Sequence, residues 1–175
     1  MNLKIDHHLS LGYFLPKDVI PLAEYLNDLD IYNSTLRIPH PYTLKDAEEH
    51  VALNLEKQLH DSIIENYTIR LDDEIVGGIG FMPGSGFQSH IAEIGYWLAK
   101  PFRNKGIMTK TIGFFCNMIF ENHSFAKLTA GIFPENIASK HVLEKNGFIE
   151  EGFLKKYYKK GDKYIDCRVY ALMKD

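Results

Sequence analysis

Apolar positions along this chain recur at two spacings, and the spacing changes several times. Val19, Leu22, Leu26 and Leu29 follow Asp18 at steps of three and four, which predicts a helix. Ala47, Val51, Leu55 and Leu59 give a second helical stripe behind Thr43, a good N-cap with Asp46 three residues on. Met108, Ile112, Phe115, Cys116 and Ile119 stripe a third helix from Ile107 to about Glu121. A fourth runs from Glu135 to Lys145 and stops at Asn146-Gly147. Between the helices lie shorter apolar segments that read as strands. They are Ser10–Leu15, closed by Pro16, then Asn66–Leu71, Ile75–Met82, Ile91–Ala99, Leu128–Phe133, Phe148–Tyr158 and Tyr164–Met173. Asp72-Asp73-Glu74 and Lys160-Gly161-Asp162 are hairpin turns, and the prolines 39 and 41 and residues 83–89 mark loops. Gly77, Gly78 and Gly80 weaken the strand that carries them. The predicted order is β-α-α-β-β-β-α-β-α-β-β, a mixed sheet with helices and at least one β-α-β unit.

The 175 residues fit one domain, 1–175, large enough for a core and a site. Apolar residues are 45% and charged residues 25%, which argues against disorder. A formal net charge of -3 disfavours direct nucleic-acid binding, which needs a broad basic face. Lys155, Lys156, Lys159, Lys160 and Lys163 cluster at the last hairpin, where lysines commonly protect an exposed strand edge. Cys116 and Cys167 have no metal-ligand spacing, and Cys116 sits in an apolar helical stripe as a buried thiol would. The eight histidines lack a credible ligand spacing, so no metal is expected. No apolar stretch approaches a membrane span and the first ten residues do not read as a signal peptide, so a soluble, cytoplasmic protein is expected.

The segment Arg103-Asn104-Lys105-Gly106-Ile107-Met108-Thr109 joins a strand to a helix. The first N–H groups of a helix have no intrahelical partner, and the helix dipole adds partial positive charge there. Such an end binds phosphate. Gly106 has no Cβ to hinder a pyrophosphate, and Arg103 and Lys105 add charge. By itself the turn fits an anion site and an ordinary helix entry equally well.

Its surroundings resemble the GNAT acetyltransferases. Arg103-x-x-Gly106-x-Met108 is similar to that family's cofactor motif, with Met108 in place of the usual small residue. The strand wording Ala92-Glu93-Ile94-Gly95-Tyr96-Trp97-Leu98 resembles the RimJ/RimL-like branch. Asn136-Ile137-Ala138-Ser139, then Asn146-Gly147-Phe148, resembles the family's Asn-x-x-Ser helix with its following Gly-Phe.

The resemblance implies an α+β, three-layer fold with a mixed, mostly antiparallel sheet of about seven strands and helices on both faces. It implies acetyl-CoA as co-substrate, a primary amine as acceptor, and direct attack in a ternary complex. The cofactor contacts it implies are Leu98, Ala99, Arg103, Asn104, Lys105, Gly106, Ile107, Met108, Thr109, Asn136 and Ser139. A backbone N–H near Leu98 would receive the oxyanion.

Glu93 is the candidate base, directly or through water, because a carboxylate in an apolar strand is costly unless exposed or used. Alternation places it with Gly95 and Trp97, opposite Ala92, Ile94 and Tyr96. Ser139 is the first candidate to protonate the leaving thiolate, with Tyr157 or Tyr158 as the alternative. Tyr32, Arg37, Tyr42, Trp97 and Tyr158 are candidate acceptor contacts. The acceptor is expected to be a protein N-terminal amine. Polyamines, amino sugars, amino-acid derivatives and a non-catalytic acyl-CoA sensor stand as alternatives, in a monomer or a homodimer.

Overall fold

A computed structural model describes residues 2–174. The strands are β1 (Asn2–Lys4), β2 (Leu9–Gly12), β3 (Asn66–Leu71), β4 (Glu74–Pro83), β5 (Ile91–Leu98), β6 (Lys127–Ile132), β7 (Ile149–Lys160) and β8 (Lys163–Met173). The helices are α1 (Val19–Leu26), α2 (Leu29–Ser34), α3 (Leu44–His60), α4 (Ile107–Asn122) and α5 (Ile137–Lys145). Strand order is β1-β2-β3-β4-β5-β6-β8-β7. The β5–β6 pairing is parallel, and β1–β2, β2–β3, β3–β4, β6–β8 and β7–β8 are antiparallel. The mixed, mostly antiparallel sheet is therefore present with one strand more than expected. The added strand, β1, is a three-residue piece with too little pattern to read.

The first helical stripe is broken into two helices. Asp28 interrupts it in extended backbone, φ -114 and ψ 123, and its carboxylate accepts the Asp30 N–H to cap α2. At α3 the expected capping box forms in full between Thr43 and Asp46. In the turn between β3 and β4, Asp72 and Asp73 both have positive φ, 49° and 67°. That is the backbone a tight twisted hairpin requires.

The chain forms two compact units, Met1–Gly80 with Tyr96–Ile107, and Phe81–Gly95 with Met108–Asp175. In the first, Phe14, Leu22, Leu26, Ile31, Tyr42, Ala47, Val51 and Ile75 make the core, with Trp97 packed against it. Beside this core lies a buried ion pair. Arg70 of β3 donates to both oxygens of Asp18, at 3.1 and 2.6 Å, and also to the carbonyls of Tyr13 and Asp73. Asp18 in turn accepts the Leu15 N–H at 2.8 Å. Both side chains are about fully buried, so each charge needs its partner. Gly12 makes room: a Cβ there would lie 2.8 Å from Arg70 Nε.

In the second unit, Ile112, Phe115, Cys116 and Ile119 of α4 are buried, as the stripe predicts. Phe81 meets the rings of Phe115, His123 and Phe125. The β5–β6 ladder pairs Ile91↔Lys127, Ala92↔Leu128 and Glu93↔Thr129. Both cysteines are free and buried.

Removing one partner of the buried pair strands the other charge. Asp18→Ala is expected to lower the unfolding free energy by roughly 3–5 kcal/mol, measured by urea denaturation against the parent chain.

Candidate active site

In the second unit three side chains converge on Gly131 of β6. An added Cβ at Gly131 would lie 2.6 Å from the Tyr158 hydroxyl, 3.1 Å from Cys167 Sγ and 3.6 Å from Glu93 Oε1. Only glycine leaves this space, which is why a strand interior otherwise unfavourable to glycine carries one. Glu93 is the last residue of β5 in the parallel ladder and is half-buried, while its neighbours Ala92 and Ile94 are buried on the other face. The alternation expected for this strand thus holds at its start.

Tyr158 enters from β7. Its ring stands edge-on to Tyr157 at 4.8 Å and lies 6.2 Å from Phe133. Its hydroxyl is 3.8 Å from Cys167 Sγ. Burial, and then the nearby Glu93 carboxylate, push the Tyr158 phenol well above its ordinary range. It therefore keeps its proton at neutral pH. Burial also raises the Cys167 thiol, with the Tyr158 hydrogen bond working the other way. Cys167 is accordingly an unreactive thiol in the wall of this group.

Ser139 lies in the first turn of α5 and is half-buried. Its backbone N–H donates to Asn136 Oδ1 at 3.1 Å, so Asn136 caps this helix. The cap occupies the oxygen of Asn136 and leaves its Nδ2 group to donate elsewhere.

In the first unit the segment before α4 is held tightly. Ala99 is buried and its N–H donates to the Val76 carbonyl at 2.9 Å. The Leu98 carbonyl accepts from Arg103 Nε at 3.1 Å. The same guanidinium pairs with Asp28 at 2.8 Å and Asp30 at 3.2 Å. Its charge is thus answered by two carboxylates, neither marked by sequence spacing. Asn104 and Gly106 both have positive φ, 62° and 73°. A Cβ on Gly106 would meet nothing within 4 Å, so glycine is demanded there by backbone conformation and not by packing. Lys105 Nζ sits 5.7 Å from the Phe102 ring centre. At the start of α4, Ile107 and Met108 are buried and Thr109 is half-buried, so Met108 packs as a core side chain.

Of the other acceptor candidates, Tyr42 is a core residue whose phenol burial pushes up to about 12. Trp97 packs on the same core, and a Cβ at Gly78 would lie 2.5 Å from its Nε1. Tyr32 faces the His40 ring at 5.8 Å, and Arg37 is exposed. The sequence reading missed Gly131, Cys167, Asp28 and Asp30. The one available signal was Gly131, a glycine inside a strand pattern, which marks a close approach.

A family model described as "Acetyltransferase (GNAT) domain" matches residues 8–149. An uncharacterized N-acetyltransferase of Bacillus subtilis, YnaD, is 30% identical over 170 residues, spanning 95% of this chain and 94% of that protein. The ribosomal-protein-serine acetyltransferase of Escherichia coli is 29% identical over 109 residues, 62% of this chain and 60% of that protein. Among solved structures, RimL, a ribosomal L7/L12 alpha-N-protein acetyltransferase in complex with coenzyme A, superimposes with a TM-score of 0.85. It is 21% identical, and the match covers 99% of this chain and 98% of that one.

The crowding at Gly131 is directly testable. Gly131→Ala drives a methyl into the Tyr158 hydroxyl, an overpacking that should cost roughly 1–3 kcal/mol of stability. In a Tyr158→Phe background most of that cost should vanish. A double-mutant cycle by chemical denaturation measures the coupling.

Proposed function

This chain belongs to the GNAT family of acetyltransferases, and on that premise we propose that it moves an acetyl group from acetyl-CoA to the α-amine of a protein N-terminus. The observation that carries the catalytic part is the meeting of Glu93 and Tyr158 around Gly131. Glu93 accepts the proton that the attacking amine must lose, directly or through one water. The amine nitrogen bonds to the thioester carbonyl carbon as the carbon–sulfur bond breaks. Tyr158, protonated at neutral pH, donates to the departing sulfur. Ser139 is the competing donor, from the first turn of α5. The backbone N–H of Leu98 is proposed for the oxyanion.

For acetyl-CoA, the main-chain N–H groups from Asn104 to Thr109 are proposed to hold the pyrophosphate, with Lys105 adding charge. The left-handed residues Asn104 and Gly106 support this, since a turn of that kind aims successive N–H groups outward. Arg103 is assigned to bracing the turn, because its guanidinium is bound to Asp28, Asp30 and Leu98. Asn136 Nδ2 is proposed to donate to the pantetheine arm.

The protein-N-terminal acceptor is supported by the relatives named for ribosomal-protein acetylation. A free amino acid offers the same α-amine and is the second acceptor to test. An amine panel containing short peptides, free amino acids, polyamines and amino sugars decides this by thiol release from acetyl-CoA. Turnover confined to peptides is expected. Turnover confined to small amines overturns the acceptor, and cofactor binding with no turnover on any amine points to an acyl-CoA sensor.

Glu93→Gln should lower kcat by about 10²–10⁴ with acetyl-CoA affinity retained. Tyr158→Phe should lower kcat more than Ser139→Ala does; the reverse order moves the donor role to Ser139. The Tyr158 phenol is raised, so its protonated form persists as pH climbs. The pH–rate profile should therefore show no fall near pH 10 that Tyr158→Phe abolishes.

A further inference from the structure

Tyr158 reaches Gly131 because β7 is irregular. Leu154 pairs with Cys167, and the next pair is Tyr158 with Ile165. Lys155, Lys156 and Tyr157 on β7 therefore face the single residue Asp166 on β8. An unbroken antiparallel ladder from Leu154↔Cys167 would set Lys156 opposite Ile165 instead. The bulge has advanced the strand by two residues, so the side-chain face is kept while a tyrosine replaces a lysine at that place. Two residues of strand are roughly 7 Å, more than enough to remove the hydroxyl from Gly131.

A side-chain hydrogen bond fastens the bulge. Lys156 has φ 52°, a left-handed conformation unfavourable for a residue with a Cβ. Its N–H, which has left the ladder, donates to Asp166 Oδ1 at 2.7 Å. A charge-assisted bond to an N–H outside the ladder offsets the conformational cost. The Lys156 ammonium lies 5.8 Å from the Tyr164 ring centre.

We propose that Asp166 is a positioning residue: by holding the Lys156 N–H it sets the β7 register that brings Tyr158 to Gly131 and Glu93. The effect on turnover rests on Tyr158 acting as the proton donor, whereas the register claim stands apart from it. Cys167 separates the two, because its buried thiol contacts the Tyr158 hydroxyl at 3.8 Å and reports the register without catalysis. Cys116, buried in α4, serves as the internal reference.

The experiment measures iodoacetamide labelling of each cysteine by peptide mass spectrometry, with kcat and the acetyl-CoA KM, in the full chain. In Asp166→Ala, Cys167 should label about tenfold faster through local opening, with Cys116 unchanged. The kcat should fall roughly tenfold from a misplaced group, with KM for acetyl-CoA unchanged. Asp166→Asn keeps an accepting oxygen and should restore both. Lys156→Gly added to Asp166→Ala should restore them in part, since glycine takes positive φ freely. Unchanged Cys167 protection in Asp166→Ala overturns the proposal. Faster Cys167 labelling with unchanged kcat, in a protein whose Tyr158→Phe variant is also fully active, upholds the register claim and removes Tyr158 from the chemistry. Should Asp166→Ala fail to fold, hydrogen exchange of the Lys156 amide in the unaltered protein decides. Protection far above that of the Gly161 turn amide is expected, and equal exchange overturns the proposal.

Discussion

The parallel pairing of β5 with β6 lasts three residue pairs, and the candidate site depends on where it stops. A parallel ladder satisfies backbone groups on both strands. The last pair of this ladder is Glu93↔Thr129. Glu93 is thus the final side chain of β5 held by the ladder. Two steps further along β6 comes Gly131, whose missing Cβ lets groups from β5, β7 and β8 approach one point. A larger residue there would fill the space that the carboxylate, hydroxyl and thiol now share.

Two arginines, Arg70 and Arg103, illustrate how charge is managed in this chain. Arg70 is buried and answered by Asp18 and two carbonyls, which makes it a fastening between the β3–β4 turn and the entry to α1. Arg103 is more exposed, yet its donors are distributed over Asp28, Asp30 and Leu98. A guanidinium committed to two carboxylates has little net charge left for a phosphate. The anion binding proposed for this turn then falls mainly to main-chain N–H groups and the helix dipole, which need no particular side chain. Met108 fits the same picture: its bulk is turned into the protein, so the place usually taken by a small residue is not crowded on that account.

Legibility followed the range of the interaction that fixes each element. The stripe of α4, the capping box at Thr43 and the Asp72-Asp73 turn depend on neighbours a few residues apart, and they formed as read, whereas the α3 stripe holds at Ala47 and Val51 and fails at Leu59, which is 80% exposed. The first stripe was misread as one helix because Asp28 satisfies helical spacing on either side while capping a new start. The β7 bulge left no trace, since Lys155, Lys156 and Tyr157 read as ordinary strand residues. Tyr42, an acceptor candidate from the early loop region, lies in the core, where burial outweighs its polar hydroxyl.

The amino-acid sequence by itself pointed to the family through its resemblance to known motifs, and it determined most of the strands and helices and the glycine of the turn at Gly106, because these rest on local spacing or backbone preference. It also singled out Glu93 as a costly carboxylate in an apolar strand. Tertiary structure decided what stands beside that carboxylate. Tyr158 is sixty-five positions away in the chain, and its arrival depends on a register shift in β7, an aspartate on β8 and a glycine on β6. Such a meeting is set by strand pairing across the sheet, and no spacing along the chain encodes it.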